Sequence, residues 1–206
     1  MNAEGFALRR AAPADAGTIA AIVTEVADGL VEEFLGGIKP ALGGSDILAL
    51  VFGRGEGVYH TENVVLAENN GEILGLLFAY PSARQEVPDL ARHYLPSARL
   101  RRLGDILTAS VPETLWINTL WVAENSRNLG LGGCLLEVAE DWAEQKALKG
   151  VSLYAWAAAR KALAFYEHSG FSVAREVPAA DPPVQGQGGP HSQGGFILAK
   201  FRNNSK

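Results

Sequence analysis

Residues 115–133 read LWINTLWVAENSRNLGLGG, an apolar stretch that passes through a polar turn into three glycines within four positions. Leu115–Val122 carries the aromatic and β-branched residues of a buried strand. Leu131 through Leu148 places Leu131, Cys134, Leu135, Val138 and Trp142 at helical spacings, up to Gly150, which is expected to end the helix. Val151–Trp156 then reads as another strand. A strand–helix–strand run of this length predicts a right-handed parallel crossover, and with it an α/β domain.

Glycine weakens the start of a helix, so the loop between strand and helix calls for a reason. One is an anion: the first helical turn has unpaired N–H groups and a partial positive charge, and residues without Cβ let a pyrophosphate approach. Arg127 adds charge at the mouth. The other is a plain surface turn, and the loop alone does not choose. A Walker loop needs Lys followed by Ser or Thr, which are absent. A dinucleotide fingerprint fits Gly130 and Gly132 but puts Leu135 where the third glycine belongs.

Outward from this unit, Phe6–Arg9 is a strand candidate, and Pro13 and Asp15 open a helix with Ile19, Ile22, Val23 and Val26 on one stripe, ended by Gly29. Val31–Leu35 is a second helical piece, and Ser45 is placed to cap a third over Asp46–Phe52. Glu62–Glu68 alternates around Val64 and Leu66. Asn69-Asn70-Gly71 then turns the chain into the apolar run Ile73–Tyr80, which predicts a hairpin. One helix is expected over Asp89–Leu103, with Arg92, Arg99, Arg101 and Arg102 on a solvated face. Arg160–Ser169 is a helix capped by Gly170. Phe171–Val177 and Phe196–Phe201 are closing strands, and the Pro/Gly/Gln-rich segment Pro178–Gly195 is expected to be a flexible loop. With no internal repeat and no dividing linker, residues 1–206 read as a single domain.

The 206 residues are 48% hydrophobic and 20% charged, ordinary for a globular protein, and the formal charge of −5 argues against nucleic-acid binding. The four histidines lie far apart and Cys134 is the single cysteine, so no metal-ligand spacing exists. The opening M-N-A-E-G-F-A-L-R-R lacks the apolar core of a signal peptide, and no apolar stretch is long enough to span a bilayer. The expectation is a cytoplasmic protein that binds neither membrane nor metal.

Leu120-Trp121-Val122-Ala123-Glu124-Asn125-Ser126-Arg127-Asn128-Leu129-Gly130-Leu131-Gly132 resembles the acetyl-CoA signature of the GNAT superfamily of acyl-CoA-dependent N-acyltransferases, a strand followed by Arg/Gln-x-x-Gly-x-Gly/Ala. Ala162-Leu163-Ala164-Phe165-Tyr166-Glu167-His168-Ser169-Gly170-Phe171 is similar to the family's second block, A-x-x-F/L-Y-x-x-x-G-F, and follows at the usual separation. The resemblance is sharp over about 115–171 and architectural before it. It implies a mixed, mostly antiparallel central sheet with one parallel crossover and helices on both faces, and a cofactor-binding core at about 113–177.

The resemblance further implies transfer of an acetyl group from acetyl-CoA to a primary amine of a small molecule or peptide by direct attack. Backbone N–H groups at Leu120, Trp121 and Val122 would hold the thioester carbonyl. Arg127, Asn128, Leu129, Gly130, Leu131, Gly132 and Gly133 would hold the pyrophosphate, and Ala162 would contact the pantetheine arm. Tyr166 matches the position near the CoA sulfur and, as a phenol, suits a general acid for the departing thiolate. Asn118 stands where family members often carry a base; it can orient a water or the amine but accepts no proton. Glu113, Asp105, Glu32 and Glu33 remain alternatives for that base. Ala159 replaces the asparagine with which the second block often begins. Trp116 and Trp156 are core residues or walls of an acceptor pocket. Homodimers are common in the family. Without a base and that asparagine, a non-catalytic acyl-CoA-binding or sensing protein is the rival reading.

Overall fold

The computed structural model describes residues 5–87, 89–179 and 193–202, without the side chains of residues 89–91, 99, 102, 103 and 105. Seven strands form one sheet: β1 (Ala7–Arg10), β2 (Val64–Asn69), β3 (Glu72–Pro81), β4 (Thr114–Val122), β5 (Gly150–Trp156), β6 (Ser172–Val177) and β7 (Gly195–Phe201). Their order is β1-β2-β3-β4-β5-β7-β6, antiparallel at every step except β4–β5, which is parallel. The mixed sheet with one parallel crossover is the fold expected from the sequence.

The hairpin turns at Asn70 and Gly71, both at positive φ (50° and 84°), which sets Asn69 opposite Glu72. The alternation read around Val64 and Leu66 is incomplete, because Val64–Ala67 is buried throughout. Helices cover both faces, so successive side chains enter two different cores. Val64, Leu66, Leu76, Phe78, Tyr80 and Trp116 face α1 (Ala16–Ala27), α2 (Leu30–Leu35) and α3 (Gly44–Arg54). Val65, Leu77, Leu115 and Ile117 face α6 (Leu131–Gln145), with Leu135, Ala139 and Trp142 against them, and α7 (Arg160–His168) through Tyr166.

Several helix ends differ from expectation. Ser45 does not cap α3: the cap is Gly43, whose N–H the Asp46 carboxylate accepts at 3.0 Å, so the helix starts two residues earlier, at Gly44. The helix expected over Asp89–Leu103 is two, α4 (Asp89–Tyr94) and α5 (Ser97–Leu107), broken by Pro96. Helix α6 stops at Gln145, with Ala147 at φ 54°; Gly150 already belongs to β5, where any Cβ would lie 2.1 Å from the Lys200 carbonyl oxygen. Gly170 (φ 88°) does close α7: its N–H bonds Glu167 O and the Phe171 N–H bonds Tyr166 O, a Schellman motif. Residues 180–192 of the expected flexible loop lie outside the described residues.

Candidate active site

Strands β4 and β5 pair only from Thr114–Gly150 to Ile117–Leu153. Beyond that point both continue, β4 to Val122 and β5 to Trp156, with β4 still held by β3 and β5 by β7. The sheet therefore opens into a notch between two parallel strands. Ala123 N–H donates to Leu74 O at 2.9 Å, so by ladder alternation the N–H and C=O groups of Leu120 and Val122 face the notch. The Val122 carbonyl accepts from Arg127 Nε at 3.1 Å, which fastens the exposed Arg127 to the notch's edge.

The glycine loop lies at the same end. Asn128 (φ 62°) and Gly130 (φ 85°) take left-handed conformations that bring the chain from the Glu124–Ser126 turn into α6. The first helical bond runs from Cys134 N–H to Gly130 O, so the N–H groups of Leu131, Gly132 and Gly133 lie ahead of the helical ladder. The glycines serve different needs. A Cβ on Gly132 would sit 3.1 Å from Phe165 Cζ, so this residue lets α6 and α7 close together; Gly133 has nothing within 4 Å and leaves its surface bare.

Under α1–α3 the notch widens into a cavity of about 450 Å³, whose walls include Asn118, Leu120, Ala162 and Tyr166. Trp121, Val122 and the loop Arg127–Gly133 do not line it; Trp121 turns its Nε1 to Glu25 at 3.2 Å. The structure thus collects the expected residues at two places, the cavity and the outer end of the notch. Tyr166 is 9% exposed, packed edge-on against Phe171, and burial holds its hydroxyl well above the ordinary tyrosine range. Ala159 also lines the cavity, as do Trp116 and Trp156.

Asn118 is the extra residue of a β-bulge where β3 passes from Phe78 to Ala79, a device that re-aims a side chain. Its amide is oriented on both sides. Thr119 Oγ1 donates to Oδ1 at 3.0 Å, and Nδ2 donates to the Tyr80 hydroxyl at 3.2 Å. Tyr80 in turn donates to Gln85 Oε1 at 2.5 Å, and Gln85 Nε2 to Leu107 O at 2.8 Å. Burial raises the Tyr80 pKa far above the usual value, so this chain stays neutral.

The acidic alternatives fall elsewhere. Glu113 is ion-paired with Lys149 and does not line the cavity, nor does Glu33; Glu32 accepts the Gly44 N–H at 2.6 Å. The Asp105 side chain lies outside the described residues. Two carboxylates that sequence reading passed over, Glu56 and Glu86, line the cavity at its rim. They come from irregular segments, the glycine-rich stretch after α3 and the section opened by Pro81, and no periodicity marks them. Among the described residues, no group of three or more His, Cys, Asp or Glu side chains stands close enough to hold a metal, and no helix is long and apolar enough to cross a membrane.

A family model described as the Acetyltransferase (GNAT) family matches residues 52–171. The Bacillus subtilis (strain 168) protein named Uncharacterized N-acetyltransferase YhfO is 29% identical over 112 residues, 54% of this chain and 60% of that protein. The chain therefore aligns with less than two thirds of that relative's length. An N-acetyltransferase from Staphylococcus aureus Mu50 superimposes with a TM-score of 0.67 at 18% identity, over 94% of this chain and 100% of that one. The yncA protein of Salmonella typhimurium, solved with its cofactor acetyl-CoA, does so with a TM-score of 0.57 at 14% identity, over 98% and 96%. These structural likenesses carry the fold.

Proposed function

Because the chain belongs to the GNAT family of acetyltransferases, we propose that it transfers the acetyl group of acetyl-CoA to a primary amine by direct attack within a ternary complex. The observation that carries this reading is the notch: two parallel strands part after Ile117 and Leu153, leaving the N–H groups of Leu120 and Val122 without a partner strand, with Leu120 and Tyr166 lining the same cavity. An extended pantetheine arm fits such an opening as an added strand fits a sheet edge. The pyrophosphate would rest on the N–H groups of Leu129–Gly133, with Arg127 beside it, and Ala162 would face the arm.

In the chemical step a neutral amine attacks the thioester carbonyl, and the N–H groups of Leu120 and Val122 stabilise the oxyanion, the Trp121 N–H being turned toward β3. Tyr166 donates its proton to the departing sulfur. Its raised pKa keeps the phenol protonated, as this role requires. Asn118 orients the incoming nitrogen or a water, held by Thr119 and Tyr80. The whole chain acts as one catalytic domain, with a small-molecule or peptide amine as acceptor.

The test is thiol release from acetyl-CoA by the purified chain across a panel of amines, with acetylated product identified by mass. A melting temperature raised by CoA, with no turnover on any amine, would instead favour a non-catalytic acyl-CoA-binding protein. The loss of the usual asparagine at Ala159 supports keeping that second reading.

A further inference from the structure

We propose that the acceptor is a monoamine with an aromatic or branched aliphatic body, and that the cavity itself favours loss of the ammonium proton by desolvation. This deepens the acetyl-transfer reading of the same site and rests on it.

The wall contributed by the helices is apolar. Val26 and Leu30, with Val31 and Val51, pack against the core yet remain only partly buried, because their outer sides face the cavity. Trp116 and Trp156 line it from the sheet. Apolar groups left short of full burial gain most from a ligand that covers them. Among the described lining residues the only charges are Glu56 and Glu86, at side-chain exposures of 50% and 73%. Each already has an arginine in reach, Arg54 at 3.6 Å and Arg92 at 3.9 Å. The cavity thus offers no inward pair of carboxylates to receive a second or third ammonium. A polyamine would have to desolvate charges against valine and tryptophan, which is unfavourable.

The same wall addresses the absence of a base. An alkyl ammonium drawn out of water to Asn118 and Tyr166, where no charged lining residue faces it, is disfavoured relative to the neutral amine, so its pKa falls. It releases one proton to water at the rim. The neutral nitrogen then attacks and the C–N bond forms, the nitrogen gives up its second proton to water, the C–S bond breaks as Tyr166 protonates the sulfur, and the Tyr166 phenolate takes a proton back from water. The neutral Asn118 is sufficient in such a site.

The experiment compares phenethylamine and isoamylamine with spermidine and a lysine-bearing peptide, using the wild-type full chain and acetyl-CoA. The apolar amines are expected to exceed the others in kcat/KM by at least about tenfold, the range that hydrophobic pocket contacts supply. Equal or higher values for spermidine or the peptide overturn the proposal. If no amine is acetylated, tryptophan fluorescence is titrated with phenethylamine and with spermidine in the presence of CoA. Saturable binding of phenethylamine alone upholds the apolar class and overturns acetyl transfer, whereas no binding, or equal binding of both, overturns the proposal. Val31→Glu is expected to lower kcat/KM for phenethylamine by about tenfold while the rise in melting temperature with CoA is kept; an unchanged kcat/KM overturns the assignment of that wall.

Discussion

Tyr166 is held where a proton donor is useful and a phenolate is costly. Tyr166→Phe keeps the ring against Phe165 and Phe171 and removes only the hydroxyl. The expected outcome is a fall in kcat of about a hundredfold, with the KM for acetyl-CoA and the melting temperature unchanged. Turnover at the wild-type rate would remove Tyr166 from the mechanism. The glycines of the loop make a second contrast. Gly133→Ala should stabilise the ligand-free protein by up to about 1 kcal/mol, since nothing obstructs its Cβ, yet weaken CoA binding by covering the N–H groups there. Gly132→Ala should bring no such gain, because Phe165 stands 3.1 Å away. Urea midpoints for the two variants decide this, and equal stabilisation would dismiss the Phe165 contact as the reason for glycine.

Among the elements, β1 is tied to the start of α1 by charge. Arg9 donates to both oxygens of Asp15 at 2.8 and 2.9 Å and to Glu68 of β2 at 2.6 Å, while Asp15 also accepts the Ala12 N–H at 2.7 Å. The hydrogen bonds from Arg9 are the main reason that the Asp15 pKa is lowered. A lowered carboxyl stabilises the fold above its unfolded value of about 4 and loses that effect as pH falls through the folded value. Asp15→Asn is therefore expected to cost about 1–3 kcal/mol at neutral pH and to flatten the acid limb of stability. Denaturant titrations across pH measure both, and an unaltered acid limb would refute it. The elements most legible in the sequence are those whose backbone makes a local demand. Asn70-Gly71 specifies its hairpin, and Gly130 and Gly170 mark a helix start and stop. The Pro96 break was equally local, but the apolar and basic spacing on either side of it reads as one helix. The helical side of the cavity wall was not legible, because Val26 and Val31 look the same in sequence whether a side chain or a ligand covers them. Glu56 and Glu86 reach the rim only through tertiary folding.

For the molecule as a whole, buried phenols set an alkaline limit. Burial pushes Tyr59 up to about 12 and raises Tyr80, Tyr154 and Tyr166 as well. In each case the folded state keeps a proton that the unfolded chain loses near pH ~10. Stability is then full below about pH 10 and declines as pH rises toward the folded values. Phenolate absorbance should appear together with loss of the near-ultraviolet dichroism of the folded state. Ionisation of these tyrosines in a still-folded protein would contradict it.

The parting of β4 and β5 has a consequence for exchange with solvent. A strand edge inside a sheet is shielded from other proteins by its own neighbours, so it is open to water and a slender ligand but closed to a foreign strand. The Leu120 and Val122 amides should therefore exchange their hydrogens quickly in the ligand-free protein, although both belong to a central strand. The amide of Trp121, bonded toward β3, should exchange slowly. Adding CoA should slow the first two and leave the third as it was, so that alternate residues of one strand report whether the sheet has been completed.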